Sequence, residues 1–366
     1  MPSEYDLLLH CQFYLNPHKI EEVRKAYPDL AQWMSGLDGY CARMGLQAEQ
    51  VAFLKKVAQS FNYDQFISRL DREEIQVLDQ NAPLYPTLLN HIPDPPHMIF
   101  YKGDISRLSM PLLGVVGPRQ PSDYGRQAAA YLVKSLARQF GIVSGLAAGV
   151  DAIAHRTCLA EGQYSVAVMG TSFDTVYPTE HRGLFSELCA KGLVISEYPF
   201  GIQTKGYHFS RRNRLISGLS KGVLIVEAGE KSGALVTARN AVEQNREVFV
   251  VPGSIFSEQS VGTHRLIQDG AKLVTKAEDV VNEFYEFAQL SLLDESPEDA
   301  VAAPMPDLSE DEVKILACFT KGESHGLDAL CEQSGLMIHM VLQALTLLEM
   351  NGLVGTLPGQ RYERIT

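Results

Sequence analysis

The sequence holds one tryptophan and six cysteines among 366 residues, and its apolar runs fall well short of the ~18–20 residues that a membrane-spanning helix needs. Cys11, Cys41, Cys158, Cys189, Cys318 and Cys331 make no Cys-x-x-Cys pair and no cluster. That argues against zinc ribbons and disulfide frameworks and for reduced thiols in a packed interior. No basic-then-apolar leader opens the chain, where Glu4 and Asp6 stand instead, so a cytoplasmic protein without a membrane partner is expected. With 45% hydrophobic and 21% charged residues, collagen-like and largely disordered classes are excluded, and the length predicts two or three domains.

Positive charge is also scarce, with 32 Lys/Arg against 44 Asp/Glu, but the deficit is uneven. Residues 1–96 carry 8 basic and 13 acidic side chains, residues 97–282 carry 20 and 16, and residues 283–366 carry 4 and 15. Only the middle segment is able to attract a polyanion.

Periodic apolar positions (Ile20, Val23, Tyr27, Leu30, Trp33, then Val51, Leu54, Val57) predict a small helical domain over residues 1–80. Five prolines between Asn81 and Gly103 predict an extended connector. From Leu112 onward short apolar runs alternate with amphipathic helices. The runs are Leu112–Val116, Gly141–Val143, Val166–Met169, Leu193–Ile195, Val223–Val226, Val248–Val251 and Lys272–Val274. This pattern predicts an α/β fold, a Rossmann-like doubly wound, mostly parallel sheet over residues 81–288, with ligands at the carboxyl ends of its strands. An acidic linker follows at 289–307. Over 308–366, Ser309 with Glu312 makes a capping box, three helices follow, and a two-stranded wing broken at Pro358-Gly359 completes a winged helix.

The strand-end turns carry the chemistry. The first is Gly117-Pro118-Arg119 with Ser122 capping the next helix; both a phosphate seat and a plain tight turn fit this spacing. In the second, Ser144, Gly145 and Gly149 allow close backbone approach at a helix start, but the stretch is neither a dinucleotide fingerprint nor a P-loop. Asp151 and His155, one turn apart there, read better as an aspartate favoured by the helix dipole and a packed or surface imidazole than as an acid/base pair or metal ligands. The densest signal is Lys205-Gly-Tyr207-His208-Phe209-Ser210-Arg211-Arg212-Asn213-Arg214, which offers cations for a phosphate backbone and flat rings for bases. Lys231, Ser232 and Gly233 open one more helix with free amides. No Ser-His-Asp, Cys-His or metal-binding spacing recurs across these loops, so a binding protein without catalysis, metal or cofactor is expected.

Taken in order, these turns resemble the DprA/Smf family, the DNA-processing proteins of bacterial natural transformation. The matching pieces are Gly117-x-Arg119, Ser144-Gly-Leu-Ala with Gly149-x-Asp151 and Ala154-His155, Tyr177-Pro178, Ser196-Glu197, Phe209-x-x-Arg212-Asn213-Arg214, Glu227-Ala with Ser232-Gly233 and Thr237-Ala238, and Val251-Pro252-Gly253. They span residues of about 80 to 285. The flanking segments resemble the sterile-alpha-motif-like and winged-helix modules of that family.

The resemblance implies a homodimer that binds and protects single-stranded DNA and loads RecA on it during transformation and recombination, with no enzymatic activity. It carries DNA contacts over to Gly117, Pro118, Arg119, Ser144, Gly145, Lys205, Phe209, Arg212, Asn213, Arg214, Ser232 and Gly233, to which charge and position add Arg211 and Lys231. Ala148 and Ser172 stand where Arg and Gly are usual, and Thr179 and His181 where Lys and Asn are common. The would-be recognition helix, Met337–Asn351, has no Lys or Arg, so duplex reading is not expected of the winged helix. Partly available Met337, Met340 and Leu347 suggest that the module binds protein, or that it acts as an acidic regulator of the core, although each of the three also fits a core position. The rival reading is a nucleotide-processing N-glycosidase; Glu227-Ala-Gly-Glu-Lys-Ser-Gly replaces the Gly-rich loop those enzymes use.

Overall fold

The structure, a computed structural model, describes residues 2–284, 309–319, 324–350, 353–357 and 361–364. The chain divides into two compact units, Met1–Gln289 and Leu290–Thr366. The acidic linker expected at 289–307 lies outside the described residues, as does the Pro358-Gly359 break.

Five helices open the first unit: α1 (Glu4–Phe13), α2 (His18–Ala26), α3 (Leu30–Arg43), α4 (Ala48–Ser60) and α5 (Tyr63–Arg72). The side chains of Ser3, Asp29 and Asn62 accept backbone N–H groups at the starts of α1, α3 and α5, satisfying donors a helix leaves free. The apolar period turns Leu8, Leu9, Phe13, Ile20, Val23, Trp33, Leu37 and Tyr40 into one cluster. Trp33 Nε1 donates to Gln12 Oε1 at 2.8 Å, so its buried indole is satisfied. These helices also rest on the sheet: His10 Nε2 lies 2.9 Å from the Glu197 carbonyl, and the His10 and His97 rings stack 6.1 Å apart.

Nine strands form the sheet: β1 (Gln76–Asp79), β2 (Met98–Gly103), β3 (Leu112–Val116), β4 (Gly141–Ser144), β5 (Ser165–Met169), β6 (Leu193–Ser196), β7 (Gly222–Ile225), β8 (Glu247–Val250) and β9 (Lys272–Leu273). Their order is β1-β2-β6-β5-β4-β3-β7-β8-β9. All pairings from β6 to β9 are parallel, whereas β1 with β2 and β2 with β6 are antiparallel. The connector predicted around the prolines is thus only partly a connector. The apolar run Met98–Tyr101 pairs with β1 and Phe100–Gly103 with β6, and the prolines are confined to the turns between β1 and β2, where a missing N–H costs no ladder bond.

Helices cover both faces. On one side α7 (Asp123–Leu136), α8 (Val150–Ala160) and α9 (Arg182–Lys191) pack on the sheet. On the other lie the short α6 (Thr87–Asn90), α10 (Gly206–Leu219) and α11 (Gly233–Glu243). Buried on both faces, β3 to β8 are nearly continuous in Val, Leu and Ile, as parallel sheets require. Helix α12 (Val261–Gln268) precedes β9, and a helix α13 over 277–284 contributes Val280 and Val281 to the α7/α8 side.

The second unit contains α14 (Glu310–Ala317), β10 (Ser324–Gly326), α15 (Leu327–Ser334), α16 (Ile338–Met350), β11 (Val354–Leu357) and β12 (Arg361–Arg364). The three strands pair antiparallel in the order β10-β12-β11. Ser309 and Glu312 exchange the two bonds of the predicted capping box, and Gly335 takes the left-handed conformation that ends α15. Ile315, Leu330, Val341, Leu345 and Leu348 form its core. Together the two units are the α/β sheet and winged helix that the sequence predicts. Among the described residues no helix is long and apolar enough to cross a membrane.

Candidate nucleic-acid interface

The strand order reverses between β3 and β7. The chain leaves β3 into α7 on one face and reaches β7 through α10 on the other, which opens a crevice at the carboxyl ends of these two strands. A cleft of about 710 Å³ lies there. It gathers Gly117, Pro118 and Arg119 from the first turn, Phe209, Arg212 and Asn213 from α10, and Lys231, Ser232 and Gly233 from the turn before α11. Nine of the fourteen residues predicted from sequence share this lining. Asp151 and Glu258 line it too, two carboxylates against three cations.

Helices α7, α8 and α11 begin near the cleft, and the amino terminus of α7 is already closed by one of the protein's own carboxylates. Glu227, at the end of β7, accepts the Ser122 backbone N–H at 3.0 Å and the Ser122 hydroxyl at 2.5 Å. Ser122 Oγ in turn accepts the Gly125 N–H at 3.0 Å. The start of α7 is therefore occupied, and the first turn offers its Arg119 rather than helix amides. At α8, Asp151 accepts the N–H groups of Gly145 at 3.1 Å and Ala147 at 3.4 Å. Burial raises the Asp151 carboxyl above the usual carboxylate range, opposed by the neighbouring Arg212 and by these amides. His155 is fully buried against Ser165 Oγ at 2.8 Å, which makes it a packed imidazole.

The close approach permitted by Gly145 is made from within the protein. A Cβ there would stand 2.4 Å from the Arg212 guanidinium and 2.7 Å from Asp151. Ser144 is buried, its hydroxyl donating to the Val115 carbonyl at 2.6 Å. Gly117 is required for a similar reason, since a Cβ would meet Val150 Cγ2 at 2.5 Å.

The basic stretch divides by the helical period. Arg212 faces the cleft but is only 4% exposed, with Nη1 donating to the Gly145 carbonyl at 2.6 Å and to the Val168 carbonyl. Burial lowers its pKa and Asp151 supports its charge. Arg211 and Arg214 lie outside the cleft lining and reach Asp94 and the buried Glu197; Arg211 Nη2 is 2.7 Å and Arg214 Nε 3.3 Å from Asp94 Oδ2. Lys205 caps α10 and is exposed, outside the cleft lining. Asn213 Nδ2 donates to the Gly233 carbonyl at 3.4 Å, tying α10 to the start of α11.

Flat surfaces flank the cations. Tyr177 and Phe209 have ring centroids 5.2 Å apart, and the Arg119 guanidinium carbon lies 5.6 Å from the Phe209 centroid. Arg119, Tyr177 and Phe209 share a small side cavity with Ala148 and Gly145. Ser172 instead is buried, donating to Asp174 Oδ2 at 2.8 Å. Gln120, Ile216, Thr237, Glu258 and Gln259 also line the cleft, beyond the residues expected from sequence. Glu258 and Gln259 come from the loop after β8, beyond the Val251-Pro252-Gly253 turn that opens it. Among the described residues no group of His, Cys, Asp or Glu is placed to hold a metal ion.

The family model of DNA recombination-mediator protein A matches residues 76–285, and that of the DprA winged helix domain matches residues 298–360. The chain belongs to the DprA/Smf family of DNA-processing proteins. Protein Smf of Synechocystis sp. is 35% identical over 338 residues, covering 83% of this chain and 84% of that relative. The crystal structure of DprA from Streptococcus pneumoniae superposes with a TM-score of 0.66 at 34% identity, covering 77% of this chain and 98% of that one. The structure of DNA processing protein A from Helicobacter pylori, which concerns a single-stranded DNA binding mode, matches at a TM-score of 0.53 and 31% identity over 58% of this chain and 97% of that one. The DprA/Smf match thus covers the sheet, the crevice and the winged helix.

Proposed function

We propose that this DprA/Smf protein binds single-stranded DNA in the crevice between β3 and β7, protects it and loads RecA on it during natural transformation and recombination, acting as a cytoplasmic homodimer and catalysing no reaction. The observation that carries the reading is the placing of Arg119. It is exposed, engages no carboxylate among the described residues, and sits beside the Phe209 and Tyr177 rings. A cation next to flat apolar faces recognises a backbone phosphate and an unstacked base together, a combination that duplex DNA does not offer. The family match and the Helicobacter pylori relative support the same ligand. Glu227 supports a binding rather than a catalytic role, because its carboxylate is engaged at the start of α7.

Fluorescence anisotropy with a labelled oligo-dT strand and a duplex of equal length tests the first step. Tighter binding of the single strand is expected, and equal affinity would remove the reading. The RecA step is tested by the lag in RecA ATPase on the same strand, which the protein is expected to shorten.

A further inference from the structure

Helix α11 differs from α7 in having an open amino terminus. Its Ser232 cap accepts the Ala234 N–H at 3.3 Å, and among the described residues no carboxylate closes it as Glu227 closes α7. One turn further on, Thr237 is 1% exposed and lines the cleft, yet its Oγ1 has no hydrogen-bond partner among the described residues. A threonine inside a helix ordinarily donates to a carbonyl three or four residues back. A buried hydroxyl without a partner is costly, so its persistence at a cleft wall points to a partner that arrives with the ligand.

We propose that Thr237 Oγ1, the Gly233 backbone N–H and the Lys231 ammonium form a seat for a single phosphate group, and that Thr237 is the residue that selects it. This rests on the proposed binding of a nucleic-acid strand in the same cleft. The seat fixes register: one backbone phosphate stands at α11, and the base stacks on the Phe209 and Tyr177 side, past Arg119. A neutral linkage at that one position removes what the hydroxyl, amide and ammonium recognise, because all three are donors.

The test uses hexathymidylates carrying one uncharged methylphosphonate linkage at each of the five positions in turn, with wild type, Thr237→Val and Thr237→Ser. Valine keeps the volume and loses the hydroxyl; serine keeps the hydroxyl. The seat predicts that one linkage position costs wild type about tenfold in affinity. Thr237→Val should lose about as much with the unmodified strand and nothing more at that position, and Thr237→Ser should stay within about twofold of wild type. Equal binding by Thr237→Val and wild type, or an even penalty across all five positions in wild type, would overturn the seat while leaving strand binding intact. If wild type binds no unmodified strand, the underlying reading falls and the seat with it.

Discussion

Arg212 Nη1 donates to the carbonyl of Gly145 at 2.6 Å, which places a cation of the basic stretch inside the fold before any ligand is considered. Its neighbour Asp151 is equally buried. Removing the guanidinium leaves that carboxylate without its cation, and Arg212→Ala is expected to lose about 3–5 kcal/mol of stability. Arg119→Ala, at an exposed position, should stay within about 0.5 kcal/mol of wild type. Denaturant melts of the two variants check this, and equal stability would contradict the assignment of Arg212 to the fold.

Arg211 and Arg214 divide from Arg212 in the same way. They meet Asp94 and Glu197 outside the cleft lining, joining α10 to the turn before β2 and to the end of β6. Arg214→Ala leaves the buried Glu197 carboxylate with its chief partner gone and should destabilise by about 3 kcal/mol or more. Arg211→Ala should change the affinity for a single strand by less than about twofold, because its charge is committed to Asp94 and Glu197. An affinity loss for Arg211→Ala as large as that for Arg119→Ala would bring Arg211 back into the interface.

Three buried imidazoles set a pH dependence. Burial lowers His10 and His155 to about 3 and His97 to about 4, with Arg212 beside His155 and Arg24 near His97 adding to the effect. The unfolded chain takes up these protons below about pH 6.5 and the folded chain does not, so stability falls as pH drops from 6.5 toward 4. Each ring contributes up to about 1.4 kcal/mol per pH unit in that window. His155→Gln should be less stable than wild type at pH 7.5, and the gap should narrow at pH 5. A gap of constant size would show that His155 is not held neutral.

Much of the architecture was legible in the sequence because both faces of the central strands are covered. Leu112–Val116 and Val166–Met169 read as unbroken apolar runs for that reason, and the observed strands start or end within a residue of the predicted runs. The antiparallel edge was hidden: Gln76–Asp79 is polar at both ends, and prolines next to Met98 argued for a connector. At the site, the turns and the α10 basic stretch could be read, but their internal partners could not. Asp94 lies more than a hundred positions from the arginines it meets, and Glu227 is equally far from Ser122, so local spacing carried no trace of either pairing.

The winged helix offers a different surface. Met337, Ile338, Leu342 and Leu347 are each at least 40% exposed, Met340 is half-buried, and α16 contains no Lys or Arg. A chain ending at residue 289 is expected to bind oligo-dT within about threefold of the full chain and to lose no duplex affinity, since the removed segment is acidic and lacks a basic reading helix. Loss of duplex binding on truncation would assign groove recognition to the winged helix.

The central claim is that Arg119 neutralises a backbone phosphate in the β3/β7 crevice, and oligo-dT affinity across a salt series tests it most directly. Each phosphate neutralised on a single strand contributes about −0.7 to the slope of log K against log salt. Arg119→Ala should weaken binding, shrink the slope by about that amount and leave the melting temperature in place. An unchanged slope and affinity in Arg119→Ala would mean that the strand lies elsewhere on the protein.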